Sequence, residues 1–403
     1  ANGYGTMSQS SLPRIFYRRG VPLWRDVVIL QWVAQILSAV LVIAFMAFFV
    51  NNVLRAAEAR GLSWGYGFLD EAAGFPISES VIEYDASFPF ARALLVGILN
   101  TLKVSLIGIV LATLLGVVAA VGRLSTNWLV SKIASVYIEI IRNIPLLVQL
   151  FFWYFAFYQR LPPVQEAVEL PGPVYLSQRG LYMFWFEPTS TWGTWLIFAG
   201  VGLVLSWALH LVLSNYQLRT GKTTYPVASG LVVLVGLPLV GWFLMGTSPL
   251  SLTAPELAKF NFEGGLRLTT EYAAMLSGLV IYTGAFIAEV VRAGILAVSK
   301  GQFEAARALG LTPMQVLRLV VFPQALQVII PPLISQYLNL TKNSSLAIMI
   351  GYADVFFVGR TIINQSGRAV PVFLLVMAVY LTISLITSVV MNIYNRRVRL
   401  VER

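Results

Sequence analysis

Glu289 and Arg292 lie one helical turn apart near the end of an apolar run at 271–296. Asn339, Lys342, Asn343, Ser344 and Ser345 interrupt a second run at 324–348. An ionisable group at the centre of a bilayer costs about 2.5–3.5 kcal/mol on insertion scales, so such a group faces a cavity, a pathway or a partner. Glu289 has two readings: it can pair with Arg292 at i,i+3, or it can line a substrate path and receive an ammonium group. Lys342 can accept a carboxylate while Asn339 and Asn343 offer amide hydrogen bonds. Its alternative is to snorkel toward the outer interface. Pro331 and Pro332 precede this polar interruption, and broken or polar backbone at depth is tolerated where it faces protein or a water-filled cavity. Gln149, in a run at 130–158, is a weaker path candidate and equally suited to hydrogen bonding between helices. The chemistry these types allow is recognition of a small polar or charged solute.

Covalent chemistry is poorly provided for. The chain has no cysteine and a single histidine, His210, which excludes disulfides, thiolate chemistry and a His-clustered metal site. Thr220-Gly221-Lys222-Thr223-Thr224 invites comparison with a phosphate-binding loop. That loop needs a glycine where Tyr216 stands, with a strand before it and a helix after it. The segment reads instead as a short basic loop between two apolar runs. The aromatic cluster Phe151, Phe152, Trp153, Tyr154, Phe155 and Phe157 is too dense for a specific box and reads as packing and interfacial belt.

The elements that must position these residues are membrane helices. Of 403 residues, 58% are hydrophobic and 11% charged, against about 25% charged in soluble domains; the mean hydropathy is +0.76. A hydrocarbon core of about 30 Å needs roughly 20 apolar residues. Eight runs qualify, at 27–50, 94–122, 130–158, 192–213, 226–245, 271–296, 324–348 and 371–393. The fold expected is an all-α polytopic membrane protein of about eight transmembrane helices. The third run carries Glu139 and Arg142, so it starts in the interface or has a polar first half. The net charge of +10 marks cytoplasmic ends rather than nucleic-acid binding, because no basic tract with interleaved aromatics is present. Residues 1–26, with Arg14, Arg18, Arg19 and Arg25, read as an uncleaved cytoplasmic start. Arg123 to Lys132, Arg219 with Lys222, and the tail at 396–403 continue the basic series, whereas 51–92 is acidic. This bias places both termini in the cytoplasm, with 51–92 and 159–191 packed on the outer face.

Between the sixth and seventh runs, residues 301–323 read as a helix, a sharp turn and a second helix. Gly310 suits the left-handed position that ends the first. Thr312 can cap the second, with Pro313 in its first turn and Gln315 where a capping box needs it. Met314, Leu317, Val320 and Val321 are expected on one face, away from Gln315 and Arg318, and Pro323 is expected to stop the second helix.

Glu304-Ala305-Ala306, three residues, Gly310, nine residues and then Val320-Val321-Phe322-Pro323 resembles the EAA loop of ABC importer permeases. Val320 and Phe322 stand in for the usual Ile and Leu. Ala288-Glu289-Val290-Val291-Arg292-Ala293-Gly294-Ile295, Gly97-Ile98-Leu99-Asn100-Thr101-Leu102 and Ile141-Arg142-Asn143-Ile144-Pro145 extend the likeness to the polar amino-acid uptake family. It covers 93–160 and 266–395, five spans that would form a type I importer core. Residues 27–92 would be a first span and outer loop, and 161–265 an insertion with two extra spans, similar to the longer permeases of general L-amino-acid transport systems. The resemblance implies that Glu304, Ala305, Ala306, Arg307, Gly310 and Thr312, within a coupling loop at 298–323, dock on a separate ATPase. It implies two such ATPase subunits carrying Mg-ATP, a second and unlike permease chain, a periplasmic amino-acid-binding protein and an amino-acid substrate. The setting would be the lipid of a bacterial inner membrane, and this chain would bind no cofactor and catalyse no reaction. The alternative is a secondary active transporter of small polar solutes without an ATPase partner. No convincing internal repeat or carboxylate relay supports it.

Overall fold

The computed structural model describes residues 17–18, 21–22, 27–59, 65–259 and 261–398. The chain divides after Tyr66 into two units. In the first, Tyr17–Arg18 pairs antiparallel with Val21–Pro22. Helix α1 (Val27–Ala59) follows and exposes Trp32, Val40, Phe45 and Phe49. A helix apolar on every side suits lipid. Arg14, Arg19, Arg25 and residues 399–403 lie outside the described residues.

The second unit is organised on two long helices, α2 (Phe90–Arg123) and, later in the chain, the helix Thr270–Leu296. Lipid tails are as apolar as leucine, so helices in a membrane associate where small residues let backbones approach. Gly108, Ala112, Gly116 and Ala120 repeat every fourth position along α2, and all are buried. A Cβ on Gly116 would lie 2.6 Å from Ile287 Cγ2 and 2.9 Å from the Gly284 carbonyl of the facing helix. No side chain fits there without separating the pair.

The run expected as one span at 130–158 is instead two helices, α3 (Trp128–Asn143) and α4 (Leu146–Phe151), with α4 continuing through irregular turns to Arg160 and meeting α3 at a bend of 106°. Pro145 disfavours helical backbone at the residue before it, and Ile144 is accordingly extended. Among the described residues, seven helices are long and apolar enough to cross a membrane, or eight if the bent pair makes one span.

The segment expected as an insertion forms α5 (Trp192–Thr220) and α6 (Pro226–Leu244), which pack on each other. The Ser206 hydroxyl donates to the Gly230 carbonyl at 2.8 Å, and the Trp195 indole to the Pro238 carbonyl at 3.0 Å. The connectors carry short strands that no periodicity in the sequence announces. A four-stranded antiparallel sheet takes the order 266–268, 180–183, 174–177, 168–170, and two further pairs join 185–188 to 250–253 and 256–257 to 262–263. The remaining helices are α7 (Thr270–Leu296), α8 (Lys300–Ala308), α9 (Pro313–Val316), α10 (Phe322–Asn343), α11 (Val355–Ser366) and α12 (Ala369–Val398).

Candidate functional site: a capped elbow and a polar helix face

Local rules build the elbow. Helix α8 ends as Leu309 donates to the Ala305 carbonyl at 3.1 Å and Gly310, at φ +77°, donates to that of Arg307 at 2.9 Å. Thr312 then opens α9 with a complete capping box: its hydroxyl accepts from Gln315 N–H, and the Gln315 side chain accepts from Thr312 N–H at 2.9 Å. Ala306, Val316 and Val321 are buried and anchor the elbow to the main core beside Val298, with Phe303 and Leu311 packed against them. Glu304, Ala305, Arg307, Gly310 and Thr312 are all exposed. The Glu304 carboxylate has no ion-pair partner among the described residues.

Two expectations about this segment fail for one reason. Pro323 does not stop the second helix. Leu317–Val321 forms a π turn, and the helical path continues from Pro313 to Met349 with Pro323 at the start of α10. A widened turn removes the need for the N–H that proline lacks. The extra residue also rotates the apolar face. Val316 and Val321 point inward, while Met314 is 70% exposed and Leu317, Leu319 and Phe322 are exposed with it. The outcome is an elbow whose Met314, Leu317, Leu319 and Phe322 are left exposed among the described residues, as Glu304 is.

Further along α10, Ser335, Asn339 and Lys342 are exposed and Asn343 is half-buried. At i, i+4 and i+7 the first three share one face, turned away from Leu333, Leu340 and Thr341, which are buried in the helix packing. Lys342 has no ion pair among the described residues. Ser344 is different: it is buried, with its hydroxyl 3.5 Å from both Asp354 Oδ2 and the Tyr380 hydroxyl. Glu289 lies elsewhere. It accepts from Arg123 Nη1 at 2.9 Å and pairs with Arg292, and Arg123 also reaches Glu139 at 3.3 Å. Leu340 packs at Gly108 of α2, whereas Arg123 ends that helix, a separation of roughly 22 Å at 1.5 Å per residue. The structure therefore does not bring Glu289 together with the polar face of α10. Nor does it bring Gln149 there. Its amide donates to the carbonyls of Ile141 (2.9 Å) and Ile144 (3.0 Å), satisfying the end of α3 at the bend.

A second polar cluster escaped the sequence reading. Glu79, from the connector before α2, is 5% exposed. Its carboxylate pairs with Lys103 of α2 and accepts from Thr269 N–H at 3.2 Å, and the Lys103 ammonium lies 4.5 Å from the centre of the Tyr272 ring. Asn100 donates to the carbonyls of Glu79 (2.7 Å) and Ala353 (2.9 Å), while Tyr352 donates to the Asn100 carbonyl at 2.9 Å. The Thr101 hydroxyl accepts from Val355 N–H at 3.0 Å. Gly97, Asn100 and Thr101 thus form the socket for the chain entering α11, whose first turn Asp354 caps through Phe357 N–H. Asp354 lies between two spans; burial pushes its carboxyl up to about 7, against the opposing pull of the Phe357 N–H and the Tyr380 hydroxyl. Lys103, a lone charge inside an apolar run, was the legible signal.

The family described as binding-protein-dependent transport system inner membrane component matches residues 221–400, which include the elbow and α10. YhdX of Escherichia coli (strain K12), named as an amino-acid ABC transporter permease protein, is 46% identical over 92% of this chain and 95% of its own length. The chain belongs to the ABC transporter permeases. The general L-amino acid transport system permease protein AapQ of Rhizobium johnstonii is 44% identical over 92% of each chain. A solved amino acid ABC transporter aligns with 76% of the permease at 22% identity and a TM-score of 0.45. Family membership sets aside the secondary-transporter alternative and makes the permease a transport component. Residues 161–265, expected as an insertion, fall inside the aligned length of YhdX and AapQ.

Proposed function

We propose that this permease is one of two membrane subunits of an ATP-driven importer of amino acids, polar or of broad specificity. An amino-acid-binding protein delivers substrate to its outer face, and two ATPase subunits carrying Mg-ATP act from the cytoplasm, where both termini also lie. The observation that carries the reading is the capped elbow, which holds Glu304 and an uncovered apolar patch rigidly at the joint between α7 and α10. Closure of the ATPases around ATP draws this elbow and its counterpart together. Because α10 continues directly from α9, the displacement reaches the face bearing Asn339, Lys342 and Asn343. The sequence carries no phosphate-binding glycine loop, Tyr216 standing where one would need a glycine, and the nucleotide is assigned to the partner ATPase. An external force thereby biases two pre-existing arrangements of the helices.

The α10 face supports the path assignment because it is polar, at membrane depth and uncovered by this chain, which suits a wall shared with a second, unlike permease chain. Lys342 is assigned to the substrate carboxylate and the two asparagines to hydrogen bonds, with Ser344 behind them. Glu289, clasped by Arg123 and Arg292, is assigned to the inner end of the path. The test is uptake of labelled amino acids by the reconstituted importer carrying Lys342→Ala. Weakened uptake with normal assembly and basal ATP hydrolysis is expected. Unchanged apparent affinity and maximum rate would make Lys342 an interfacial anchor and refute the assignment.

A further inference from the structure

The α5–α6 hairpin carries a cleft that the transport reading does not use. One part, about 530 Å³, lies between Leu203, Trp207, His210, Val227, Gly230 and Leu231. Gly230 lets Ser206 of α5 approach closely, a Cβ there lying 3.2 Å from the Ser206 hydroxyl, and that hydroxyl is turned to the Gly230 carbonyl, so the walls are almost wholly apolar. A second part of about 450 Å³ shares Val227 and Leu231 with the first and runs on to Gln217, Thr223 and Tyr225. The 221–225 loop folds back along α5, the Thr224 hydroxyl donating to the Leu213 carbonyl at 3.0 Å. The cleft therefore passes from hydrocarbon-like to polar over its length.

Its polar end is also cationic. Arg219, two residues after Gln217, and Lys222, one residue before Thr223, are both exposed, and no Asp or Glu occurs between 192 and 248. The charge bias of the chain places this loop on the cytoplasmic side of the membrane. An apolar furrow whose loop end carries two exposed basic residues next in sequence to its lining matches one chemistry: an acyl chain joined to a phosphate. We propose that the α5–α6 cleft binds an anionic phospholipid of the inner leaflet, with an acyl chain along Leu203, Trp207 and Leu231 and the phosphate between Arg219 and Lys222. A partner's transmembrane helix would fill the apolar part and leave the basic end unmatched. A zwitterionic lipid would satisfy the furrow but not the charge.

The full-length permease, with its transporter partners, would be placed in nanodiscs of equal parts phosphatidylglycerol and phosphatidylethanolamine, and retained lipid measured by native mass spectrometry. The wild type is expected to retain phosphatidylglycerol preferentially. Arg219→Gln with Lys222→Gln should weaken that retention roughly 30-fold, about 2 kcal/mol at about 1 kcal/mol per basic side chain near a membrane surface. Leu231→Trp, which plugs the neck from an exposed position, should abolish it with the basic loop intact. Unchanged phosphatidylglycerol retention in both variants, or equal retention of the two lipids by the wild type, would overturn the proposal. So would a cross-link from Leu231→Cys to another transporter chain, since a protein then fills the cleft. Uptake is read in parallel: its loss would bear on the transport reading, while the lipid signal alone decides this one.

Discussion

Removing Glu79 should destabilise the permease far more than removing Glu79 and Lys103 together. The Glu79 carboxylate has 6% side-chain exposure and Lys103 has 21%. Glu79→Ala deletes the ion pair and the acceptor for Thr269 N–H, leaving the ammonium only the Tyr272 ring. Breaking one side of a buried pair costs about 3–5 kcal/mol; the partial exposure of Lys103 puts this case near 3 kcal/mol. Glu79→Ala with Lys103→Met removes both charges and keeps the apolar stem that packs beside Tyr272, so its cost should fall to about 1 kcal/mol, the worth of the lost hydrogen bond. Unfolding in detergent, run as a double-mutant cycle, measures the coupling directly. Additivity of the two single variants within about 0.3–0.5 kcal/mol would show that Lys103 finds water instead, and the reasoning would fail.

The glycines separate packing from propensity. Gly294→Ala places a Cβ 2.2 Å from Ile329 Cγ1 and should cost about 1–3 kcal/mol through overpacking, whereas Gly301→Ala, with nothing within 4 Å in α8, should be neutral or stabilising by up to about 1 kcal/mol; thermal unfolding compares them. In the elbow, Gly310→Val should cost about 1–2 kcal/mol for a left-handed residue and loosen ATPase docking, while Glu304→Ala should leave stability unchanged and lower substrate-stimulated ATP hydrolysis.

The elbow was legible because caps obey short-range rules: Gly310, Thr312, Pro313 and Gln315 act within a few residues of one another. Its exposed face was misread because a π turn at Leu317–Val321 adds a residue that periodic counting does not include. Pro145 could have announced the bend in the third run, since the residue before a proline resists helical backbone, but the apolar composition on both sides concealed it. The polar face of α10 was visible as an interruption of hydropathy. Glu79 was not, because its partners Lys103 and Thr269 lie 24 and 190 residues away, and nothing in a connector's composition says which carboxylate will be buried. The strands around the insertion are two to four residues long, too short for alternation to register.

The central claim is that the elbow is where the ATPase acts, and the absence of native cysteine allows a direct test. Met314→Cys, at an exposed position of the elbow, would be introduced alone into the permease and treated with a short bifunctional cross-linker in membranes containing the assembled importer. The account predicts a covalent product between this chain and the ATPase subunit, whose yield changes when ATP is bound and which is absent from a control cysteine at exposed Phe243, far along the chain in α6. A transporter that takes up substrate normally but gives no ATPase adduct from Met314→Cys would contradict it.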